Sequence, residues 1–124
     1  MKTIALGIAG AVIRADFCTV VQGNALREAG YLDGDILFMS ARAYTKDGDL
    51  ALVRDRLEHE DIYLGFYHQI EAANEDIASG KFTKGEIKQI EVQPADPEEY
   101  EKVILDPREA EVLGVAIGVF RYKA

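Results

Sequence analysis

Residues 23–30 have the pattern of a loop that presents one side chain for chemistry. Gly23 permits a tight turn, Asn24 is a good helix N-cap, residues 25–29 can form one or two helical turns, and Gly30 is a good helix stop. Backbone N–H groups converge at the start of such a helix and can hold a negative charge there. The side chain presented at this place is the methyl group of Ala25, which is not a nucleophile. The pattern therefore indicates a presentation site that holds nothing reactive.

Other residue types with metal-binding or catalytic potential do not complete a site. The two Asp-Gly-Asp segments at 33–35 and 47–49 lack the alternating ligands and the closing glutamate of an EF-hand, so they predict turns and not a calcium site. His59 and His68 have no cysteine or carboxylate neighbours at a spacing typical of zinc. The sequence has no glycine-rich phosphate loop. We therefore predict no metal and no cofactor.

The composition indicates one acidic globular domain. With 124 residues, 48% of them hydrophobic, the chain can build one core, so we expect a single domain over residues 1–124. The formal net charge of -8 argues against nucleic acid and anionic membrane as direct partners, and no apolar run is long enough to span a bilayer. Cys18 is the single cysteine and lies in an apolar run, which predicts a small buried side chain and fits a reducing cytoplasm.

Short strand-like runs separated by turn signals must position the loop. Between residues 62 and 70 the alternation places Leu64 on one face and Tyr63, Gly65 and Tyr67 on the other. The polar segment at 71–86 predicts a loop or a short helix stopped by Gly80. A long β-rich run closes the chain. These features predict a mostly-β domain, a folded β-sheet or small barrel with one or two short helices.

The loop belongs to a longer spaced pattern, V-x-G-[DN]-S-M-x-x-x-G-[IY]-x-D-G-D-[IL]-[VL]. The positions that match it are Val21, Gly23, Asn24, Gly30, Asp33, Gly34, Asp35, Ile36 and Leu37. The segments KDGDLALVR, IEVQPADPEEYEKVIL and VLGVAIGVFR follow in the same order as in that pattern's family. Together they resemble the C-terminal domain of the LexA-like self-cleaving repressors, a family of signal-peptidase-like serine–lysine peptidases. The resemblance covers nearly the whole chain and implies the LexA-like folded sheet.

The resemblance places the two catalytic positions at residues that lack the necessary groups. The family's serine–methionine pair is Ala25-Leu26 here, and its lysine general base falls at Gly65. The reaction needs a neutral lysine beside a serine hydroxyl, so we expect no peptidase activity and treat Ala25 and Gly65 as vestigial positions. An engineered replacement would account for Ala25 alone, so Gly65 favours natural loss. Ala9-Gly10 matches the family's scissile dipeptide, either as a remnant or by chance.

The resemblance implies a role in self-association. Family domains of this kind hold two copies of a prokaryotic or phage-type transcriptional regulator together, so we expect a homodimer that reaches DNA only through an N-terminal helix-turn-helix outside this chain. The chain would then be an excised part of a longer, cytoplasmic regulator that does not contact membrane. The candidate contact is the closing strand, taken as an edge strand with a central strand as the alternative. Its contact residues would be Val115, Ile117, Val119 and Phe120.

Two other functions stay open. In the first, the emptied cleft senses a small ligand or a peptide, with room made by Gly65 and with Tyr63 and Tyr67 at its sides. In the second, the chain is an active self-cleaving peptidase whose base has moved to a lysine in the polar segment. The candidates for that base are Lys81, Lys84 and Lys88.

Overall fold

Nine strands and two short helices form the described part of the chain, which in this computed structural model comprises residues 4–8, 11–41, 44–57 and 61–122. The strands are β1 (Ile4–Ile8), β2 (Ala11–Ala15), β3 (Phe17–Val20), β4 (Ile36–Ser40), β5 (Leu50–Asp55), β6 (Ile62–Glu71), β7 (Ile87–Gln93), β8 (Val103–Leu105) and β9 (Ala110–Phe120). A 3₁₀ helix spans Arg27–Ala29, and the α-helix α1 spans Asn74–Ala78. The predicted mostly-β fold with one or two short helices is confirmed. Within the described ranges, neither helix has the length and apolar character needed to cross a membrane.

Seven strands form one curled antiparallel sheet in the order β3-β4-β9-β5-β6-β7-β8, and β1 and β2 pair as a separate hairpin. The closing strand β9 lies between β4 and β5 and pairs with both. The prediction that it is an edge strand is therefore wrong, and the central alternative is correct. Val115 alone pairs with both neighbours: the first half of β9, up to Gly114, pairs only with β5, and the second half, from Ala116 to Phe120, pairs only with β4, so each half keeps one open side in this sheet.

Two hydrophobic clusters cover opposite faces of the sheet. The residues of β6 alternate between them as predicted: Leu64 and Phe66 pack with one cluster, and Tyr63 and Tyr67 with the other. The first cluster is centred on Val21, Leu26, Leu37, Met39 and Leu50. The second is centred on Ala51, Val53, Ile90, Val92 and Leu105. The first cluster matters for function because it receives Leu26 from the loop that carries Ala25.

Both Asp-Gly-Asp segments form turns, as predicted. Gly34 and Gly48 adopt left-handed φ values of 89° and 92°, a conformation that glycine reaches without steric penalty. The aspartates that flank them accept main-chain hydrogen bonds. Asp33 binds the N–H of Gly23 at 2.7 Å, and Asp49 binds the N–H of Lys46 at 2.7 Å.

The prediction that Cys18 is buried is wrong. Its strand β3 is an edge strand, and its residues alternate between half-buried Phe17 and Thr19 and exposed Cys18 and Val20. An apolar run is thus compatible with an exposed thiol when only one face of the strand meets the core. Two other predictions lie outside the described residues: Ala9-Gly10 as a scissile dipeptide and the environment of His59.

Candidate functional site

A cleft of about 460 Å³ opens beside Ala25. One wall is the end of β3 and the turn at residues 23–30, which we call the cleft turn. The opposite wall comes from the start of β6, the end of β7 and residues 100–103. Because β3 and β8 are the two edges of the curled sheet, the cleft lies where the curl brings the edges towards each other. The predicted presentation loop therefore does line a concave site.

The cleft turn is tighter than the sequence predicts. Its helix is the 3₁₀ segment Arg27–Ala29, it begins after Leu26, and no side chain caps it. Asn24 contributes its carbonyl, which accepts the N–H of Arg27 at 3.1 Å, so its predicted role as a side-chain N-cap is wrong. Gly30 ends the helix with φ 93°, as predicted for a helix stop. Three helical residues are too few to accommodate the full capping pattern of an α-helix.

Ala25 ties the cleft turn to the far wall through its backbone. Its carbonyl accepts the N–H of Ala95 at 2.8 Å, and its methyl group lines the cleft. Among the described residues of the lining, none is lysine, histidine, serine or cysteine. The polar groups there come from Thr19, Gln22, Tyr63, Gln93, Tyr100 and Glu101. These groups can donate and accept hydrogen bonds, but the set contains no serine–lysine pair.

Gly65 lies next to two cleft residues, Val92 and Gln93, in a crowded place. A Cβ atom on Gly65 would lie 2.7 Å from Val92 Cγ1 and 2.8 Å from the carbonyl oxygen of Gln93. The prediction that Gly65 makes room in the cleft is therefore wrong, because the close approach of β7 already fills that space. A lysine at this position would require the β7 backbone to shift.

The lysines proposed as a relocated base lie elsewhere. Lys81 and Lys88 line a separate groove with Arg108, and Lys88 forms an ion pair with Asp76 at 3.1 Å. Lys84 is exposed in the turn before β7. The structure thus brings Ala25 into a cleft without bringing Lys81 or Lys88 into its lining.

Lys102 lies between two residues that line the cleft, Glu101 and Val103, but its side chain forms an ion pair with Glu91. Its Nζ is 3.0 Å from Glu91 Oε2, and the side-chain amides of Gln89 and Gln93 donate to the same carboxylate at 2.7 and 3.0 Å. Burial raises the pKa of Glu91, but the hydrogen bonds from Lys102, Gln93 and Gln89 outweigh it and hold the pKa below its usual value. The Lys102 ammonium group is therefore engaged by Glu91.

An ion pair between buried Asp35 and partly exposed Arg121, which the sequence reasoning missed, secures the cleft turn. Arg121 Nε and Nη2 each lie 2.7 Å from an oxygen of Asp35, which is only 1% exposed. Hydrogen bonding to Arg121 and to the N–H of Leu32 lowers the pKa of Asp35 to about 2. The signal was present in the sequence, because Asp35 and Arg121 both fall in segments that carry the family resemblance, but nothing local indicates that they meet.

The residues proposed for self-association divide into buried and exposed. Val115 is 6% exposed and belongs to the core, so its prediction as a contact residue is wrong. Ile117, Val119 and Phe120 are 46%, 45% and 36% exposed, and Val20 lies two strands away in register with Phe120 and is 50% exposed. We call Val20, Ile117, Val119 and Phe120 the β9 patch. Val20 and Phe120 share one face of the sheet, whereas Val119 pairs with Leu37 on the other face, so the patch borders the end of β9 on both faces.

Comparison with known proteins gives one informative similarity. The chain is 29% identical over 107 residues to the LexA repressor of Halorhodospira halophila (strain DSM 244 / SL1). The match covers 86% of this chain and 39% of that protein, so the chain spans about two fifths of the length of this relative. No family model matches the chain. Similarity over most of the chain, together with the curled antiparallel sheet, supports a LexA-like domain.

Proposed function

We propose that this chain is a catalytically inactive LexA-like domain that mediates self-association of a prokaryotic or phage-type transcriptional regulator. The observation that carries the proposal is Ala25 at the cleft turn of a domain similar to a LexA repressor. A methyl group there has no hydroxyl to attack a peptide bond. The crowding at Gly65 supports the same conclusion, because a lysine side chain has no space beside Val92 and Gln93.

Mass spectrometry of the purified chain tests the proposed inactivity. Wild type and Ala25→Ser are incubated at mildly alkaline pH, which favours any neutral lysine and restores the hydroxyl in the variant. We expect both to stay intact, because serine alone lacks a base. A fragment that begins at Gly10 in the wild type would overturn the proposal. The same fragment in the variant alone would show that a base is present and that only the nucleophile is missing.

The β9 patch supports self-association through side-chain contact. Its three β9 members, Ile117, Val119 and Phe120, lie in the half of the strand that pairs only with β4, so a second copy that packs against the open side of this half could bury them across a two-fold axis. DNA contact would then belong to parts of the regulator outside this chain, consistent with the net charge of -8.

Val119→Glu tests this surface. Because Val119 is 45% exposed, the charge is tolerated in the monomer, but it would be buried without a partner in the dimer. We expect the dissociation constant of the dimer, measured by sedimentation velocity, to rise at least about tenfold, while the urea unfolding of the monomer stays unchanged. Ile104→Glu, on edge strand β8 at 57% exposure, is the matched control. A Val119→Glu protein that remains as dimeric as the control would refute the assignment of this surface.

The cleft supports a second candidate function, the sensing of a small ligand or peptide. Its walls contain two open sheet edges and a mixture of apolar and hydrogen-bonding groups, which fits an extended peptide. Thermal-shift screening of peptides and metabolites with wild type and Ala25→Leu tests it. A true cleft ligand stabilises only the wild type, whereas a hit that stabilises both proteins equally would bind elsewhere.

A further inference from the structure

One arginine side chain links the end of β9, which it follows in the chain, to the cleft turn. Besides its two hydrogen bonds to Asp35, Arg121 Nη2 donates to the carbonyl oxygen of Gly30 at 2.9 Å. Gly30 ends the cleft turn, and Arg121 directly follows Phe120 of the β9 patch. Asp35 also accepts the N–H of Leu32 at 2.8 Å, so the carboxylate is held from both sides.

This arrangement resists partial disruption. Asp35 is 1% exposed, so a movement that withdrew Arg121 would leave a buried carboxylate with only its backbone donor. The planar guanidinium can satisfy Asp35 and Gly30 together only while the cleft turn and the end of β9 keep their relative positions. The backbone bond from Ala95 to Ala25 extends the same connection to the far wall of the cleft.

From this geometry we infer that Arg121 couples self-association at the β9 patch to the conformation of the cleft turn. The inference rests on the proposed self-association through that patch. Burying Phe120 and Val119 in a dimer fixes the end of β9, and Arg121 passes that restraint to Gly30 and Asp35. By linkage, if dimerisation opposes displacement of the cleft turn by a given factor, then displacing the cleft turn weakens the dimer by that same factor.

Hydrogen exchange at low and high protein concentration tests the coupling. The amides to follow are those of Arg27 and Ala29 in the cleft turn, and that of Ala95 on the far wall, each of which donates a backbone hydrogen bond. We expect these amides to exchange at least about fivefold more slowly in the dimer than in the monomer. In Arg121→Lys, which keeps the charge but cannot bind Asp35 and Gly30 in the same way, that concentration dependence should disappear. Arg108→Gln, which removes the exposed pair with Asp106, is the control and should behave as the wild type.

The outcomes separate the inference from the proposed function. If Val119→Glu dissociates the dimer while the wild-type cleft-turn amides are insensitive to concentration, the coupling is wrong and the self-association stands. If the concentration dependence persists in Arg121→Lys, the guanidinium does not carry it. A wild-type chain that stays monomeric overturns both proposals. The comparison of wild-type hydrogen exchange at low and high protein concentration uses no variant, so it still tests the coupling if Arg121→Lys fails to fold.

Discussion

At the scale of single residues, Gly65 excludes a side chain because of packing. The place a lysine stem would occupy is taken by Val92 Cγ1 and by the Gln93 carbonyl oxygen, which belongs to the backbone and cannot rotate away. Val92 can adopt another rotamer, whereas the carbonyl moves only if β7 moves. Gly65 therefore marks a close approach of β6 and β7.

Gly65→Ala should destabilise the fold. Overpacking in a buried site costs about 1–3 kcal/mol, more than the small gain from replacing a glycine within a strand. Urea unfolding measures the difference against Glu71→Ala, an exposed position on the same strand. An alanine variant as stable as the wild type would mean that β7 yields easily and that Gly65 does not exclude a side chain.

Asp35 should make stability depend on acid pH. Its pKa in the folded chain is about 2 against an ordinary 3.8, because Arg121 and the Leu32 N–H stabilise the carboxylate. A lowered folded pKa contributes stability above the unfolded value, and this is lost as the pH falls from about 4 to about 2. The melting temperature, measured by thermal unfolding across that pH interval, should therefore fall more steeply for the wild type than for Asp35→Asn. Parallel pH profiles of the two proteins would contradict the assignment.

At the scale of elements, the sequence predicts local features well and long-range pairings poorly. The alternation of β6 and the turns at the two Asp-Gly-Asp segments follow from neighbouring residues, and the sequence predicts both. The central place of β9 was not fixed by its own apolar composition, which fits an edge or an interior strand equally well. The exposure of Cys18 and the crowding at Gly65 depend on which strand lies opposite, so a local pattern could not reveal them.

The segment between β6 and β7 should be dispensable for the fold. It contains α1, which has no buried residue, and the flanking strands are already joined by a hydrogen bond from the Ala72 N–H to the Glu86 carbonyl. Replacing residues 73–85 by Asn-Gly should shorten the hairpin, remove the Lys88–Asp76 pair and change the free energy of unfolding by about 1 kcal/mol or less. Amide exchange of β6 and β7 checks the result. Loss of protection throughout both strands would show that the segment does support the sheet.

At the scale of the whole molecule, the proposed self-association would bring together two chains of net charge -8. Their mutual repulsion is screened by salt, with a Debye length of about 10 Å at 0.1 M. If contact occurs through the uncharged β9 patch, the dimer dissociation constant should fall about two- to tenfold between 0.02 and 0.3 M NaCl. Sedimentation equilibrium measures this change. A dimer that weakens as salt is added would point to a contact through opposite charges and away from the β9 patch.

The central position of β9 also affects how the chain can be made. Strands β3 and β4 emerge early from the ribosome and strands β5 to β8 follow, but β9, which joins the two groups, is synthesised after all of them. Until then, β4 and β5 each present an open edge that can pair with another nascent chain. Premature termination before Ala110 would leave two half-sheets with no strand to unite them, and such products are expected to be targets for chaperones and proteases.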